Sequence, residues 1–386
     1  MLGLLALVEL LGMAGWFVAG AVGSELAERW RLSPAQVAWL ISAVQLGFVA
    51  GTLAAAVLNL PDIIPSRWYV AAAATAAAAA NAGLLVVSGF GEALLTRFLL
   101  GFFLAGVYPP AMKMAATWFV ARRGFAIGVV VGALTVGKAL PYLVEALGGL
   151  GVEPVVGSTS AAALAAAGLV AMGYRDGPHA FPRRPFSWRL VGEVLRVREV
   201  RLATAGYLGH MWELYAFWGF IAAYWAASLG AEATPRAVAL LAFASIAIGV
   251  VGCLWGGAAA DRWGREPVVM AALAVSGSAA IVSSLVFGGP VLLVLVVILI
   301  WGIAVIADSA QFSALVTELA PPHAVGTALT LQTAVGFLLT MGAIQFVAAV
   351  GGPSSRWAFP LLSLGPAAGI LAIGALGRAR SERSAG

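Results

Sequence analysis

Charge is what this sequence has least of. Only 10% of its 386 residues are Asp, Glu, Lys or Arg, against roughly 25% in a soluble globular domain. Twenty-two basic and seventeen acidic side chains are too few to clothe a water-exposed surface of this size, which excludes a soluble enzyme. The single cysteine, Cys253, excludes a disulfide framework and any thiolate metal cluster. There is no phosphate-cradling glycine loop, no zinc-ligand spacing, and no nucleophile with a base on a matching face, so neither enzyme nor cofactor is expected. The pI near 9.7 would suit nucleic acid only if the basic residues gathered on one solvated face. They are scattered instead as short clusters between apolar runs, so no nucleic-acid partner is expected.

Apolar residues fill the space that charge leaves. They make up 62% of the chain, and the mean hydropathy is +0.97. A membrane-crossing helix needs about 20 such residues, so this length with short loops accommodates about twelve. Uninterrupted apolar runs predict helices at 2–23, 35–58, 67–89, 92–119, 124–148, 154–173, 201–228, 235–259, 267–287, 290–317, 325–350 and 356–377. Turn signals separate them: Ser33-Pro34, Pro61 and Pro65, Gly89 to Gly91, Gly288-Gly289-Pro290, Pro321-Pro322 and Gly351-Gly352-Pro353. The opening run lacks a basic leader and a clear cleavage site, so it is expected to remain as a span. The Ala-rich stretch 71–80 suits close helix packing in a bilayer.

The longest polar stretch, 174–200, carries Arg175, Arg183, Arg184, Arg189, Arg196 and Arg198 and falls after the sixth run. It divides the chain into a first six-helix bundle (1–174), a linker (175–200) and a second bundle with a short tail (201–386). The expected fold is an all-α membrane protein with twelve transmembrane helices in two pseudo-symmetric bundles. Placing the N-terminus in the cytoplasm puts fifteen arginines on that side and four, Arg29, Arg31, Arg236 and Arg356, on the other. The positive-inside rule therefore expects both termini to be cytoplasmic in a cell, or inner, membrane, although Arg29 and Arg31 alone would argue the opposite. The halves also repeat at an offset just over two hundred residues. Glu9-Leu10 with Gly15 aligns with Glu213-Leu214 and Gly219, Asp62 falls near Asp261, and Gly124 matches Gly326. Such parallel repeats place a transporter's substrate site between the halves at mid-membrane.

The stretch from Gly257 to Arg265, with Asp261, Arg262 and Gly264, resembles the signature loop of the major facilitator superfamily. It lies between the eighth and ninth runs, where that family has its second copy. The first copy, Asn59 to Arg67, keeps Asp62 and one basic residue but not the glycines. Arg97 with Gly101 and Pro109 resembles the family's helix 4 motif, and Gly124, Gly128, Gly132 and Gly137 its helix 5. The resemblance spans essentially the whole chain and implies a secondary carrier working by alternating access, expected as a monomer. It does not supply the substrate. Nitrate-porter relatives would carry an arginine in helices 2 and 8; Gln45 and the lack of one in the eighth run disfavour nitrate. Asp62, Asp261, Arg262, Arg265 and Glu318 are expected to form a cytoplasmic gate.

Seven ionisable residues fall well inside the runs: Glu9, Arg97, Lys113, Lys138, Glu145, Glu213 and Asp308. Each costs about 2.5–3.5 kcal/mol on insertion scales, so each should face a partner or a cavity. The chain has twenty arginines and only two lysines, both inside the membrane. At about 1.5 Å per residue, Lys138 lies about 21 Å into its helix, close to mid-membrane, and Glu213 is similarly central. The expected solute-binding residues are Lys138, Trp212, Tyr215, Gln311, Gln45 and Trp16. Lys138, facing Glu213 and Asp308 across the cavity, is either the counter-charge for the solute or one half of a permanent structural ion pair with one of these acids. Glu213 and Asp308, with Glu9 in reserve, are the expected proton carriers, since a carboxyl in low dielectric can exchange protons near neutral pH. Lys113 and Arg97 are expected in intramembrane ion pairs, Lys113 with Glu9. Glu145 is expected near the outer surface, and His210 either relays protons or ties two helices together. Three functions stay open: a proton-coupled carrier of a small organic anion or zwitterion, a proton-driven exporter of amphipathic compounds, and a non-transporting sensor or assembly factor. The last is disfavoured because it need not keep so many costly buried charges.

Overall fold

The computed structural model describes residues 1–119, 123–148, 151–179, 186–350 and 356–385. Arg122, Arg183, Arg184 and the Gly351-Gly352-Pro353 turn lie outside the described residues, as do the side chains of Arg123 and Arg383. Helix is the only regular secondary structure among the described residues. Among the described residues, eleven helices are long and apolar enough to cross a membrane: Pro34–Val57, Ser66–Leu85, Phe90–Trp118, Gly124–Ala146, Val152–Gly173, Arg198–Glu232, Pro235–Trp263, Arg265–Val286, Val291–Leu319, Val325–Ala349 and Pro360–Glu382. They are spans 2 to 12. Span 1 is broken: Leu2–Gly12 is followed by turns through Phe17, then by Val18–Ala21 and Gly23–Trp30.

Local sequence explains where spans begin. Ser33 accepts from the Gln36 backbone while the Gln36 side chain accepts from the Ser33 backbone, and Pro34 opens the helix. Thr234, accepting from the Ala237 backbone, and Pro235 repeat the cap and the proline, without the reciprocal bond, at the start of span 8, 201 residues later. The two halves also pack alike. Span 1 packs on 5 and 6, span 2 on 4, and span 3 on 4 and 6; span 7 packs on 11 and 12, span 8 on 10, and span 9 on 10 and 12. The halves meet where span 2 lies against 11 and span 5 against 8. The result is two six-helix bundles related by pseudo-symmetry.

Three departures from the expected helices matter. The first run, expected as one helix over 2–23, opens at Met13–Phe17, where backbone bonds shorten to i−3 partners such as Trp16 N to Met13 O at 3.2 Å. Such irregular backbone survives at membrane depth because protein buries it: Met13, Trp16 and Phe17 are all buried. Span 10 is likewise interrupted, at Asp308, between Val291–Ala307 and Ser309–Leu319. The linker, expected only as a polar stretch, contains an amphipathic helix, Trp188–Arg196.

Candidate functional site

Lys138 sits at the meeting of the two halves, and a glycine puts it there. A Cβ on Gly137 would stand 2.2 Å from the Leu10 carbonyl oxygen, so only glycine lets spans 1 and 5 approach this closely. Their neighbours in sequence, Glu9 and Lys138, are thereby brought into each other's electrostatic field. Both are buried, Glu9 at 0% and Lys138 at 2% exposure. No carboxylate lies within 4.0 Å of the Lys138 ammonium among the described residues. Lys138 Nζ donates to the Tyr215 hydroxyl at 2.6 Å, and lies 3.9 Å from the Trp16 ring centre, 4.6 Å from Tyr215 and 5.6 Å from Trp218. Cation–π attraction of this kind reaches about 2 kcal/mol when desolvated, which offsets part of the cost of burying the ammonium.

The cage is built from both bundles. Span 1 supplies Trp16 and Phe17 from its irregular stretch, and span 7 supplies Tyr215 and Trp218. Trp16 stands 5.7 Å from Tyr215 and 5.2 Å from Phe48, which packs 4.5 Å from Phe337 of span 11. Gln45 lies one helical turn from Phe48 and Ile41, and those two reach span 11 and span 7 respectively, so Gln45 is on the face of span 2 turned to the other half. Several buried polar atoms here have no hydrogen-bond partner: both Glu9 carboxyl oxygens, both ends of the Gln45 amide, and the indole N–H groups of Trp16 and Trp218. Unpaired buried polar groups are costly, and their clustering marks a place built for something besides packing.

The other acids do not face Lys138. Glu213 points into the second bundle, where Ser276 Oγ donates to it at 2.9 Å and Trp301 Nε1 at 2.6 Å. Asp308 sits at the break in span 10, with its Oδ1 2.8 Å from His210 Nδ1 of span 7. The expected opposition of Lys138 to Glu213 and Asp308 is therefore corrected. Span 7 is helical throughout Arg198–Leu229, and Glu213 leaves it on a different side from Tyr215. Trp212 also leaves the expected wall; its indole N–H reaches the Leu361 carbonyl at 3.5 Å and its ring packs on Phe346. Gln311 belongs to the gate, accepting from Arg265 at 2.9 Å and donating to the Gly256 carbonyl at 3.3 Å.

Two expected ion pairs are likewise corrected. Lys113 pairs with Asp62 and donates to the Pro61 carbonyl at 3.0 Å, and Glu9 takes no hydrogen bond from it. Arg97 has a neutral partner: it donates to the Asn81 side-chain oxygen at 2.9 Å and to the Asn81 carbonyl at 3.2 Å. Asn81 in turn donates to Thr159 and Ser160, so a fully buried polar knot joins spans 3, 4 and 6. Asn81 was not anticipated, and its place in the apolar third run was the signal that could have found it.

At the face carrying both termini, Arg265 donates to Glu318 at 2.8 Å. Asp261 does not pair with Arg262, which is exposed, but lies against the first turn of span 5, where a Cβ on Gly124 would meet its carboxylate at 2.8 Å. A carboxylate over a helix N-terminus is favoured by the helix dipole. Farther in, Gly128 and Gly132 admit Cys253 and Val250 of span 8. Glu145 is half-buried near the opposite face.

Against solved structures the chain resembles a bacterial homologue of the human lysosomal transporter Spinster (TM-score 0.67, 17% identity, covering 97% of this chain and 92% of that one). It also resembles a D-xylose–proton symporter (0.73, 14%, 97% and 96%) and a mutant form of the nucleoside transporter NupG (0.68, 14%, 97% and 98%). At these identities the likeness is one of fold. No curated protein sequence matches the chain. The family model for the Major Facilitator Superfamily matches residues 5–344. With that match over most of its length, the chain belongs to the Major Facilitator Superfamily, as a multi-pass membrane transporter and not an enzyme.

Proposed function

We propose that this protein is a proton-coupled secondary transporter of a small organic solute, anionic or zwitterionic, held between the bundles by Lys138. The observation that carries this is the Lys138 ammonium itself, buried at the interface with aromatic rings and one hydroxyl around it and, among the described residues, no carboxylate within 4.0 Å. Trp16, Tyr215 and Gln45 complete the solute contacts. Residues 1–174 and 201–386 are the two moving bodies, joined by 175–200. The arginine distribution supports cytoplasmic termini in the cell membrane, and the similarity in fold to a proton symporter is compatible with proton coupling. Asp261, Arg265 and Glu318 close the cytoplasmic side.

An exporter of amphipathic compounds is the second reading, favoured by the aromatic wall of Trp16, Phe48, Tyr215 and Phe337. A fixed ammonium at its centre repels lipophilic cations, so it ranks below the anion carrier. The test is counterflow in liposomes, with radiolabelled lactate and alanine against tetraphenylphosphonium as competitor. Counterflow of lactate or alanine that Lys138→Gln abolishes supports the carrier. Competition by tetraphenylphosphonium alone supports the exporter.

A further inference from the structure

We propose that Glu9 carries the coupled proton and that the solute is a small organic monoanion moved together with one proton. This rests on Lys138 as the solute anchor.

Glu9 is the partner of Lys138 by position, since the Leu10–Gly137 contact fixes the two side by side on one bundle. Span 5 offers Glu9 only Lys138 at this depth. Span 4 offers Tyr108, whose hydroxyl feels the Glu9 charge, and Lys113, which is engaged by Asp62. Span 6 has no titratable side chain between Glu153 and Tyr174. Neither Glu9 oxygen has a hydrogen-bond partner, whereas its repeat counterpart Glu213 holds two. Glu9 is therefore free to change its protonation without dismantling a bonded network.

The surrounding groups select the sign of the solute. Lys138 and the Trp16 and Trp218 indoles are donors, the Tyr215 hydroxyl accepts from Lys138 and keeps its own O–H, the Gln45 amide offers one donor and one neutral acceptor, and Glu9 is the one charged acceptor. A monoanion uses the donors. A cation would find the aromatic faces already taken by the Lys138 ammonium.

Charge conservation then assigns the proton. With Lys138 positive and Glu9 negative the buried centre sums to zero. An arriving monoanion would leave it at minus one in a dehydrated place, where an uncompensated charge is strongly unfavourable. A proton taken from the aqueous side on which the solute enters forms an O–H bond on a Glu9 oxygen and restores zero; no other bond changes. The loaded carrier crosses neutral, with solute and proton aboard. The unloaded carrier returns neutral as the Lys138–Glu9 pair. Net charge moved per cycle is zero.

Tryptophans at the centre allow a direct test by quenching of intrinsic fluorescence in the purified protein. The probes are acetate, lactate and benzoate as monoanions, alanine as zwitterion and tetraethylammonium as cation, between pH 5.5 and 8.5. At least one monoanion should bind, with apparent Kd rising about tenfold per pH unit on the alkaline side, as one linked proton requires. Glu9→Gln should bind the same anion with a pH-independent Kd, and in liposomes should exchange anion for anion without proton-driven accumulation. A pH-independent wild-type affinity, tenfold-per-unit behaviour retained in Glu9→Gln, or binding of alanine and no monoanion would overturn the proposal. Failure of the anchor is separately visible: Lys138→Gln and Lys138→Met would then bind the probe as the wild type does. If neither variant folds, the wild-type pH dependence still decides the role of the proton.

Discussion

Glu9 and Glu213 occupy the same position in the two halves, 204 residues apart, each followed by leucine and, six residues on, by glycine. Their surroundings are opposite. Glu213 accepts from a serine and a tryptophan inside its own bundle, while Glu9 has no hydrogen-bond partner and faces a lysine at the interface. An internal repeat thus preserves where a charge sits, but the neighbours decide what it can do. A carboxylate with two donors is a structural tie. One left with a cation and no donors is poised to change its charge.

The largest effect should come from the contact that creates the difference. Gly137→Val would force a side chain into the Leu10 carbonyl, where a Cβ already stands at 2.2 Å. Because the obstacle is backbone, overpacking should cost about 3 kcal/mol or more, read as loss of monodisperse protein after detergent extraction. Gly157→Ala, with nothing within 4 Å of the new Cβ, is the control and should extract like the wild type. Equal yields for the two variants would show that spans 1 and 5 are not pressed together as described.

Next in size is the contrast between the two acids. Glu213→Gln weakens two bonds to a buried carboxylate and should destabilise by about 1.5–3 kcal/mol, visible as a lower thermal midpoint. Glu9→Gln loses no hydrogen bond; its cost is the Lys138 charge left uncompensated, which should fall away in the double variant Glu9→Gln/Lys138→Gln, whose midpoint should stay within about 1 kcal/mol of the wild type. Reversal of that order would make Glu9 the structural acid and Glu213 the mobile one. Arg97 gives a smaller, independent check on the first bundle. Asn81→Ala strips a buried guanidinium of its side-chain acceptor and should cost about 1–3 kcal/mol, read as a lower thermal midpoint.

Much of the fold was legible because apolar length is a strong signal: the spans fall where the runs do, and the Ser33-Pro34 turn became a helix cap. The break at Met13–Phe17 was invisible, since no proline or polar residue falls within those five positions and its cause is tertiary burial. The site was half legible. Lys138 stood out as one of two lysines, and Tyr215 and Trp16 were named with it. The direction of Glu213 was lost because residues two apart on one helix, such as Glu213 and Tyr215, leave on different sides, and both sides are buried here. The linker helix could have been found, since Trp188, Val191, Val194 and Leu195 recur at helical spacing.

The smallest expected effect compares the two copies of the signature loop. Asp261 lies over the first turn of span 5, across the boundary between the halves, whereas Asp62 pairs with Lys113 inside the first half. Only the Asp261 contact therefore biases the halves toward staying together. A charge at a helix N-terminus contributes about 1 kcal/mol, which corresponds to about a fivefold change in the population of the parted state. The chain has its own reporter. Cys253, its single cysteine, is 5% exposed and lies where Gly128 and Gly132 of span 5 press on span 8. A thiol-reactive maleimide should reach it only when spans 5 and 8 separate. Asp261→Asn should raise the labelling rate about fivefold, and Asp62→Asn should leave it unchanged, because Asp62 spends its charge within one body. Equal rates in both variants would place the latch elsewhere, and a rise in Asp62→Asn alone would mean that the degenerate copy, despite its lost glycines, is the one that holds the halves together.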